Sequence, residues 1–234
     1  MTFQKPVTAI DPKINDLDSV ALITPSGFRE YDARWWFGHP SSKVAPQINL
    51  LGIEALGLGL GTLVQELGAG PNIVVGHDYR SYSETVKQAL VKGLLAAGAN
   101  IKDIGLALSP TAYFAQFDLD VASVAMVTAS HNPNGWTGVK MGADRPMTFG
   151  HEQMARLKEI VMNGAWVMKS GGAIETIDNF ADRYISDLTD RRQISRKLRA
   201  VVACGNGTAG AFAPLALERL GVDVIPMDTE LDHT

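Results

Sequence analysis

The chain has 234 residues, of which 46% are hydrophobic and 20% charged, the balance of a globular protein with one or two domains. Its net charge of -4, without a block of basic residues, gives no electrostatic support for nucleic-acid binding. Cys204 is the only cysteine, which excludes an internal disulfide, and no signal peptide or membrane-spanning stretch is visible. We therefore expect a cytoplasmic protein that binds neither nucleic acid nor membrane.

The first part of the chain predicts strands that alternate with helices. After a polar arm over residues 1–20, alternating apolar and charged residues predict a strand over residues 28–31. Residues 41–68 have apolar residues at helical spacing, and the glycines among them indicate close helix packing. A strand over residues 72–76 precedes a helix that runs to residue 98 and begins with a capping box of Ser81 and Glu84.

Further strands are predicted over residues 100–106, 121–127 and 138–142. A short helix over residues 109–117 lies between the first two, and an amphipathic helix over residues 152–162 follows the third. This alternation indicates an α/β fold with a mixed, mostly parallel sheet and helices on both faces. In such sheets, functional loops lie at the carboxyl ends of the strands.

Glycine-rich turns near residues 164 and 171 predict a domain boundary, with a first domain at 1–168 and a second, incomplete α/β domain at 169–234. The second domain begins with a predicted amphipathic helix over residues 174–188. Strands over residues 200–203 and 222–226 follow, and a helix is predicted between them. Because a parallel sheet needs neighbours to cover its faces, we expect exposed apolar surface here that favours self-association.

The most informative stretch follows the apolar strand over residues 121–127 and reads Thr-Ala-Ser-His-Asn-Pro-Asn-Gly-Trp-Thr-Gly-Val-Lys. Asn-Pro and Asn-Gly favour turns, which places Ser130 at a strand end where its side chain can be oriented. His131 follows directly, and Lys140 ends the stretch, so a nucleophile, a base and a cation lie close together. The simpler alternative is that Ser130 and His131 only satisfy the backbone or face water.

Three motifs resemble those of the α-D-phosphohexomutases, which include the phosphomannomutase/phosphoglucomutase enzymes. The Thr-Ala-Ser-His-Asn-Pro run around Ser130 is similar to the family's phosphoserine loop. Phe-Arg-Glu-Tyr-Asp-Ala-Arg, which ends at Arg34, is similar to its N-terminal motif, although Ala33 and Trp35 stand where the family usually has Ile and Gly. Gly-x-Asp-x-Arg-x-x-Ser, from residue 76, resembles a third signature.

The resemblance implies a reversible phosphoryl transfer between the 1- and 6-positions of a hexose phosphate through a phosphoserine at Ser130. It implies catalytic roles for His131, Lys140 and Arg34, and substrate contacts for Tyr31 and Arg34. It also implies Mg²⁺, bound to Ser130 through the phosphate and to an Asp-Gly-Asp loop that this sequence does not contain. Glucose 1,6-bisphosphate is the expected activator.

The resemblance covers residues 22–233 but only about the N-terminal half of a phosphohexomutase, so we expect a fragment that is inactive alone. One alternative is a non-catalytic module that binds a partner chain or a phosphosugar. A second is a dinucleotide-binding oxidoreductase, because Gly205 to Gly210 fits G-x-G-x-x-G between a strand and a helix. We interpret Asp78 and Arg80, in the third motif, as a structural ion pair.

Overall fold

The computed structural model describes residues 20–192 and 194–232, so the predicted arm lies outside the described residues except for Val20. Two short 3₁₀ helices cover Pro25–Gly27 and Thr208–Ala211. The strands and α-helices that the structure describes are, in chain order, β1 (Asp32–Trp36), α1 (Leu50–Glu66), β2 (Asn72–His77), α2 (Ser83–Ala96), β3 (Asn100–Leu106), α3 (Ser109–Asp118), β4 (Ser123–Val127), β5 (Trp136–Gly142), α4 (His151–Asn163), β6 (Ile174–Thr176), α5 (Phe180–Thr189), β7 (Arg199–Ala203), α6 (Ala213–Arg219) and β8 (Asp223–Met227).

A six-stranded sheet in the order β1-β5-β4-β2-β3-β6 forms the centre of the molecule. Strands β4, β2, β3 and β6 are parallel, whereas β5 pairs antiparallel with both β4 and β1. Every residue of β4 is buried, as expected for a central strand with helices on both faces. The mixed, mostly parallel α/β sheet predicted from the sequence is therefore confirmed.

The first face of the sheet is covered by α1, α2 and α4, whose apolar side chains form the larger core cluster. The second face carries α3, with Phe180 of α5 packed beside it. Helices α1 and α2 approach closely at two glycines. A Cβ on Gly57 would lie 2.2 Å from the Leu90 carbonyl oxygen, and one on Gly93 would lie 2.0 Å from that of Glu54. The glycines of α1 therefore serve helix packing, as the sequence predicted.

Two predicted elements begin later than expected. Residues 28–31 form a turn rather than a strand, with Phe28 in an isolated bridge to Ala33, and β1 starts at Asp32. Helix α1 starts at Leu50 rather than residue 41, because the Asn49 side chain accepts a hydrogen bond from the Gly52 N–H and caps the helix there.

The predicted capping box of Ser81 and Glu84 is wrong. Helix α2 begins at Ser83, and Tyr82 occupies the N-cap position without a side-chain capping hydrogen bond. The Ser83 hydroxyl instead donates to a carboxylate oxygen of Asp78, 2.5 Å away. This end of α2 is therefore tied to the loop that precedes it.

The predicted helix over residues 174–188 is also partly wrong. Residues Ile174–Thr176 form β6, which adds to β3 at the edge of the first sheet. Asn179 then adopts a left-handed conformation with φ 56°, which a continuous helix cannot contain, and α5 begins at Phe180. The division at residues 168 and 169 stays a prediction, although the first sheet includes residues beyond it.

Strands β7 and β8 form a separate two-stranded parallel sheet beside α6. This unit packs on α5 through Phe212, which is buried against Ala181 and Ile185. One sheet face remains exposed in the described residues, with Val201 61% accessible and lying opposite Ile225 in the strand register. The predicted exposed apolar surface is present, and self-association through it stays a prediction.

Candidate functional site

Ser130 lies just beyond β4, at the carboxyl end of the central parallel strands. The Asp78 N–H donates to the Val127 carbonyl at 2.9 Å, so the chain segments that leave β2 and β4 remain in contact beyond the sheet. Ser130 is exposed and has φ 56°, a left-handed conformation that costs a non-glycine residue about 1–2 kcal/mol. We call residues 128–138, which include the first residues of β5, the Ser130 loop. Contacts from other side chains must hold its conformation.

The first contact is local. The Ser130 N–H donates to the Thr128 hydroxyl oxygen at 2.9 Å, and that hydroxyl donates to a carboxylate oxygen of Asp78 at 2.8 Å. The Asn132 N–H donates to the Ala129 carbonyl at 3.0 Å, which closes the turn around Ser130 and His131. The serine backbone is thus tied through Thr128 to a buried carboxylate.

Arg80 holds the same turn from beneath. Its guanidinium forms an ion pair with Asp78, and both side chains are buried. One terminal nitrogen, Nη2, also donates to the carbonyls of Ser130 at 3.1 Å and Asn132 at 2.7 Å. The predicted Asp78–Arg80 pair is confirmed, but the sequence interpretation missed that the pair supports the Ser130 loop.

Arg34 reaches the loop from β1. Its Nη1 donates to the Asn132 side-chain oxygen at 2.6 Å and to the Ala129 carbonyl at 3.4 Å. Its Nε and Nη2 donate to Asp32 at 3.0 and 2.8 Å, so one carboxylate fixes the guanidinium. The structure therefore brings Arg34 and the Ser130 loop together, as the sequence predicted.

Gly138 makes room for this arginine. It lies opposite Arg34 in the β1–β5 register, and a Cβ there would stand 2.2 Å from the Ala33 carbonyl oxygen and 3.0 Å from Arg34 Cγ. The departure from the family motif at Trp35 leaves Arg34 undisturbed. Trp35 is fully buried on the opposite face of β1, where its indole N–H donates to the Thr24 carbonyl at 2.7 Å.

The other predicted site residues have different surroundings. Lys140 lies opposite Asp32 in the register, and directly opposed residues share a sheet face, so Lys140 projects on the face that carries Arg34. No carboxylate among the described residues pairs with Lys140.

His131 is exposed beside Ser130. Tyr31 is 59% exposed in the turn before β1, where a hydrogen bond with Glu30 raises its pKa, and its substrate contact stays a prediction.

Tyr82 supports the far end of the loop. Its hydroxyl donates to the Trp136 carbonyl at 2.8 Å and accepts from the Gly135 N–H at 3.0 Å. Burial raises the pKa of Tyr82 to about 12, so the hydroxyl stays protonated and can donate. The loop is thus held at both ends by side chains from the segment that joins β2 to α2.

The described residues do not by themselves fit a Mg²⁺ site, because they contain no group of three or more His, Cys, Asp or Glu side chains that could hold a metal ion. The carboxylates that contact the site residues are engaged elsewhere. Asp32 binds Arg34, whereas Asp78 binds Arg80, Ser83 and Thr128. Coordination of Mg²⁺ by a phosphate on Ser130 stays a prediction.

The predicted nucleotide motif has a different environment, in a segment that we call the glycine loop (residues 204–210). The Asn206 N–H donates to the Asp228 carbonyl at 2.7 Å, and the Asp232 N–H donates to the Asn206 carbonyl at 3.2 Å. A Cβ on Gly210 would lie 2.1 Å from the Thr229 carbonyl oxygen. In a dinucleotide site, the second glycine of the motif allows close approach of a pyrophosphate and the third allows close packing of the helix. Here the close approach of Gly210 is to the chain's own backbone.

The fold and site define an α/β protein with an exposed serine beyond a central parallel strand and two guanidinium groups bound to the loop around it. Residues 26–168 match the family described as phosphoglucomutase/phosphomannomutase, alpha/beta/alpha domain I. The chain therefore belongs to the phosphoglucomutase/phosphomannomutase family, which confirms the resemblance seen in the sequence.

Relatives with known names agree with this assignment. The chain is 33% identical over 213 residues to the phosphomannomutase/phosphoglucomutase of Pseudomonas putida. This match covers 91% of this chain and 43% of that protein. It is 29% identical over 181 residues to a probable phosphoglucosamine mutase of Methanobrevibacter smithii. That match covers 76% of this chain and 41% of that protein. The chain thus spans less than half the length of these relatives.

A solved structure shows the same arrangement. The phosphoglucomutase/phosphomannomutase family protein from Burkholderia thailandensis superimposes with a TM-score of 0.80 at 29% identity. The match covers 91% of this chain and 46% of that protein, so it includes both the six-stranded sheet and residues of the second unit. Over the described residues, no helix has the length and apolar character that crossing a membrane requires.

Proposed function

We propose that this chain carries the phosphoryl-accepting half of a phosphohexomutase, with Ser130 as the group that receives and returns phosphate. The observation that carries the proposal is the geometry of the Ser130 loop. The serine is exposed in a left-handed conformation beyond a central strand, and the guanidinium groups of Arg34 and Arg80 bind the loop around it. A serine that only satisfied the backbone would need no such support.

The proposed step is a displacement at phosphorus. The Ser130 Oγ attacks one phosphate of a hexose 1,6-bisphosphate, a bond forms between Oγ and phosphorus, and the bond from phosphorus to that sugar oxygen breaks, which leaves a hexose monophosphate. The serine proton passes to a base, for which exposed His131 is the candidate, and the sugar oxygen takes up a proton. Transfer of the phosphate from Ser130 to the free hydroxyl of a hexose monophosphate reverses these steps, forms the bisphosphate again and restores the serine.

Phosphoryl transfer depends mainly on positioning and on neutralising charge. A phosphate on Ser130 adds about -1.5 to -2 charges, and cations near it lower the free energy of the transferring group. Arg34 supplies one cation but shares it with Asp32. Lys140 has no carboxylate partner among the described residues, so its full charge is available. We therefore propose Lys140 as the main protein cation for the phosphate.

The proposed substrate is a hexose phosphate, converted between its 1- and 6-phosphates, with glucose 1,6-bisphosphate as activator and Mg²⁺ as cofactor. The relatives are named for different sugars, so the proposal is limited to this class. We place the reaction in the cytoplasm. Because the described residues supply no metal site, we expect no measurable mutase turnover from the 234-residue chain alone.

The test is a chimera in which this chain replaces the matched part of the Pseudomonas putida relative. We expect the chimera to interconvert glucose 1-phosphate and glucose 6-phosphate in a coupled assay, and the Ser130→Ala chimera to lose this activity. Ser41→Ala is the matched control, since Ser41 is exposed and, within the described residues, its hydrogen bonds go to His39 alone. A folded, monodisperse chimera whose turnover survives Ser130→Ala would contradict the proposal.

A second candidate function, a module that associates with another copy, is favoured by the exposed face of β7 and β8. Val201 and Ile225 lie opposite one another there, and Met227 is 52% exposed. Sedimentation velocity over a concentration series tests this candidate. Dimers that Val201→Lys disrupts would support it, whereas a monomer at all concentrations would exclude it.

A further inference from the structure

The Asp78–Arg80 pair has more contacts with the Ser130 loop than an ion pair needs for its own stability. A single nitrogen of Arg80 donates to two carbonyls, those of Ser130 and Asn132, on either side of His131. Carbonyls on both sides of a residue can share one donor only while the backbone between them keeps its turn. Arg80 therefore bonds to the turn conformation and not to one residue alone.

Asp78 connects the Arg80 contact to a second contact with the loop, which Thr128 makes. Its carboxylate accepts hydrogen bonds from Arg80, Ser83 and Thr128, and Thr128 in turn accepts from the Ser130 N–H. The donors thus arrive from α2, from the end of β4 and from the loop after β2. Ser130 is held through its N–H and its carbonyl by groups that meet at one buried carboxylate.

We infer that Arg80 and Thr128, joined by Asp78, are positioning residues that hold Ser130 in its reactive conformation. The inference rests on the proposed function. The left-handed φ of Ser130 is unfavourable by itself, so the loop relaxes toward a common conformation when these bonds are lost. That rotation moves the Oγ, and a misplacement of about 1 Å can lower a rate about 100-fold.

The protein offers a matched control for this pair. Lys87 and Asp103 form another buried ion pair, at 2.6 Å, between α2 and β3. Asp103 also accepts from the Gly105 N–H, and none of the hydrogen bonds described for these two side chains reaches the Ser130 loop. Removing one partner of either pair leaves a buried charge, so both changes destabilise the fold. Only loss of the Arg80 pair should alter the Ser130 loop.

The experiment has two readouts. Amide hydrogen exchange of the Ser130 loop in the 234-residue chain reports whether the loop is held, and the rate of phosphate incorporation at Ser130 in the chimera reports its reactivity. We expect Arg80→Lys and Thr128→Val to raise exchange in the loop at least tenfold, the effect of losing one charge-assisted hydrogen bond. The same variants should lower phosphorylation about 100-fold. Thr128→Ser, which keeps the hydroxyl, should restore both.

The control variant is Lys87→Met, and we expect it to lower stability while both loop readouts stay near those of the wild type. Unchanged loop exchange in Arg80→Lys and Thr128→Val would overturn the inference whatever the activity. Faster exchange with undiminished phosphorylation would overturn it too, as would equal effects of Lys87→Met. A wild-type chimera that takes no phosphate on Ser130 would instead overturn the proposed function, and the exchange result would still decide whether these residues hold the loop.

Discussion

The Ser130 loop and the glycine loop look alike in the sequence but differ in the groups that pack against them. Each follows a strand that belongs to a parallel pair, and each contains a non-glycine residue with positive φ, Ser130 or Asn206. In the Ser130 loop, side chains hold the backbone from beneath and leave the serine exposed. In the glycine loop, the backbone at Asp228 and Thr229 packs directly against Asn206 and Gly210.

The charges around the two loops also differ. Arg34 contacts the Ser130 loop and Lys140 lies on the same sheet face as Arg34, whereas Asp228, Glu230 and Asp232 belong to the segment that bonds with the glycine loop. This difference in charge favours an anionic ligand at the first loop over the second. The comparison shows that a loop motif predicts a site only when the residues packed against it are also known.

Removal of Lys140, which has no carboxylate partner in the part of the chain that the structure describes, should have the largest effect on this contrast. We expect Lys140→Ala to lower phosphate incorporation at Ser130 in the chimera by about 10² to 10³-fold, the typical cost of one lost electrostatic contact to the reacting group. Lys102→Ala is the control, because Lys102 pairs with exposed Glu175 on the far side of the sheet. Equal rates for the two variants would show that Lys140 does not neutralise the phosphate.

Two glycine substitutions test whether the loops are independent. Gly138→Ala places a Cβ against the Ala33 carbonyl, and Gly210→Ala places one against the Thr229 carbonyl at nearly the same distance. We expect each to lower the free energy of unfolding by about 1–3 kcal/mol, as overpacking does. Only Gly138→Ala should also slow phosphorylation, since it displaces Arg34. A comparable slowing by Gly210→Ala, measured in the chimera, would mean that the two loops are coupled.

A smaller effect is expected at His77, which ends β2 next to Asp78. Burial, with help from the charge of Lys87, lowers the pKa of His77 below its ordinary value of 6.5. The unfolded chain then binds a proton at a pH where the native protein does not, so the free energy of unfolding falls as the pH drops below 6.5. Above that pH, this contribution to stability is fully present.

Urea denaturation at about pH 7.5 and about pH 5.5 measures this contribution. His77→Gln removes the titrating group, so we expect it to destabilise the chain less at the lower pH than at the higher one. The difference between the two pH values cancels the titration of other groups. Equal destabilisation at both would show that His77 does not stay neutral in the native protein.

The smallest expected effect concerns the glycine loop. NAD at about 1 mM should leave the thermal unfolding midpoint unchanged, because a ligand raises the midpoint only when it binds the native state. Gly207→Ala should also be tolerated, since its Cβ would meet only the Cys204 carbonyl at 3.3 Å and its φ of -93° suits any residue. A midpoint raised by NAD and lost in Gly207→Val would favour the oxidoreductase alternative.

The sequence predicted the sheet and the position of Ser130 well because both depend on local pattern. The apolar run before Thr128 gave β4, and the turn residues after it placed Ser130 at the end of that strand. Periodicity could not predict β6, since Ile174 belongs to an edge strand of only three residues. It also could not show that Asn179 is left-handed. This conformation prevents a helix from continuing through residue 179, so α5 starts only at Phe180.

The support beneath Ser130 was missed for a different reason. Arg80 and Ser130 are distant in the sequence, and their contact depends on β2 and β4 being neighbours. Parallel strands bring their carboxyl ends to one edge, so the Asp78–Arg80 motif could have been placed there had the strand order been known. Asn132, which binds Arg34, gave no signal beyond its role in the turn.

The central claim is that Ser130 is the phosphoryl acceptor, and peptide mass spectrometry of the chimera after incubation with glucose 1,6-bisphosphate tests it most directly. We predict one phosphate on the peptide that contains Ser130, its absence in Ser130→Ala, and its removal when excess glucose 6-phosphate is added. Phosphate on another residue, or labelling and turnover that persist in Ser130→Ala, would contradict the claim.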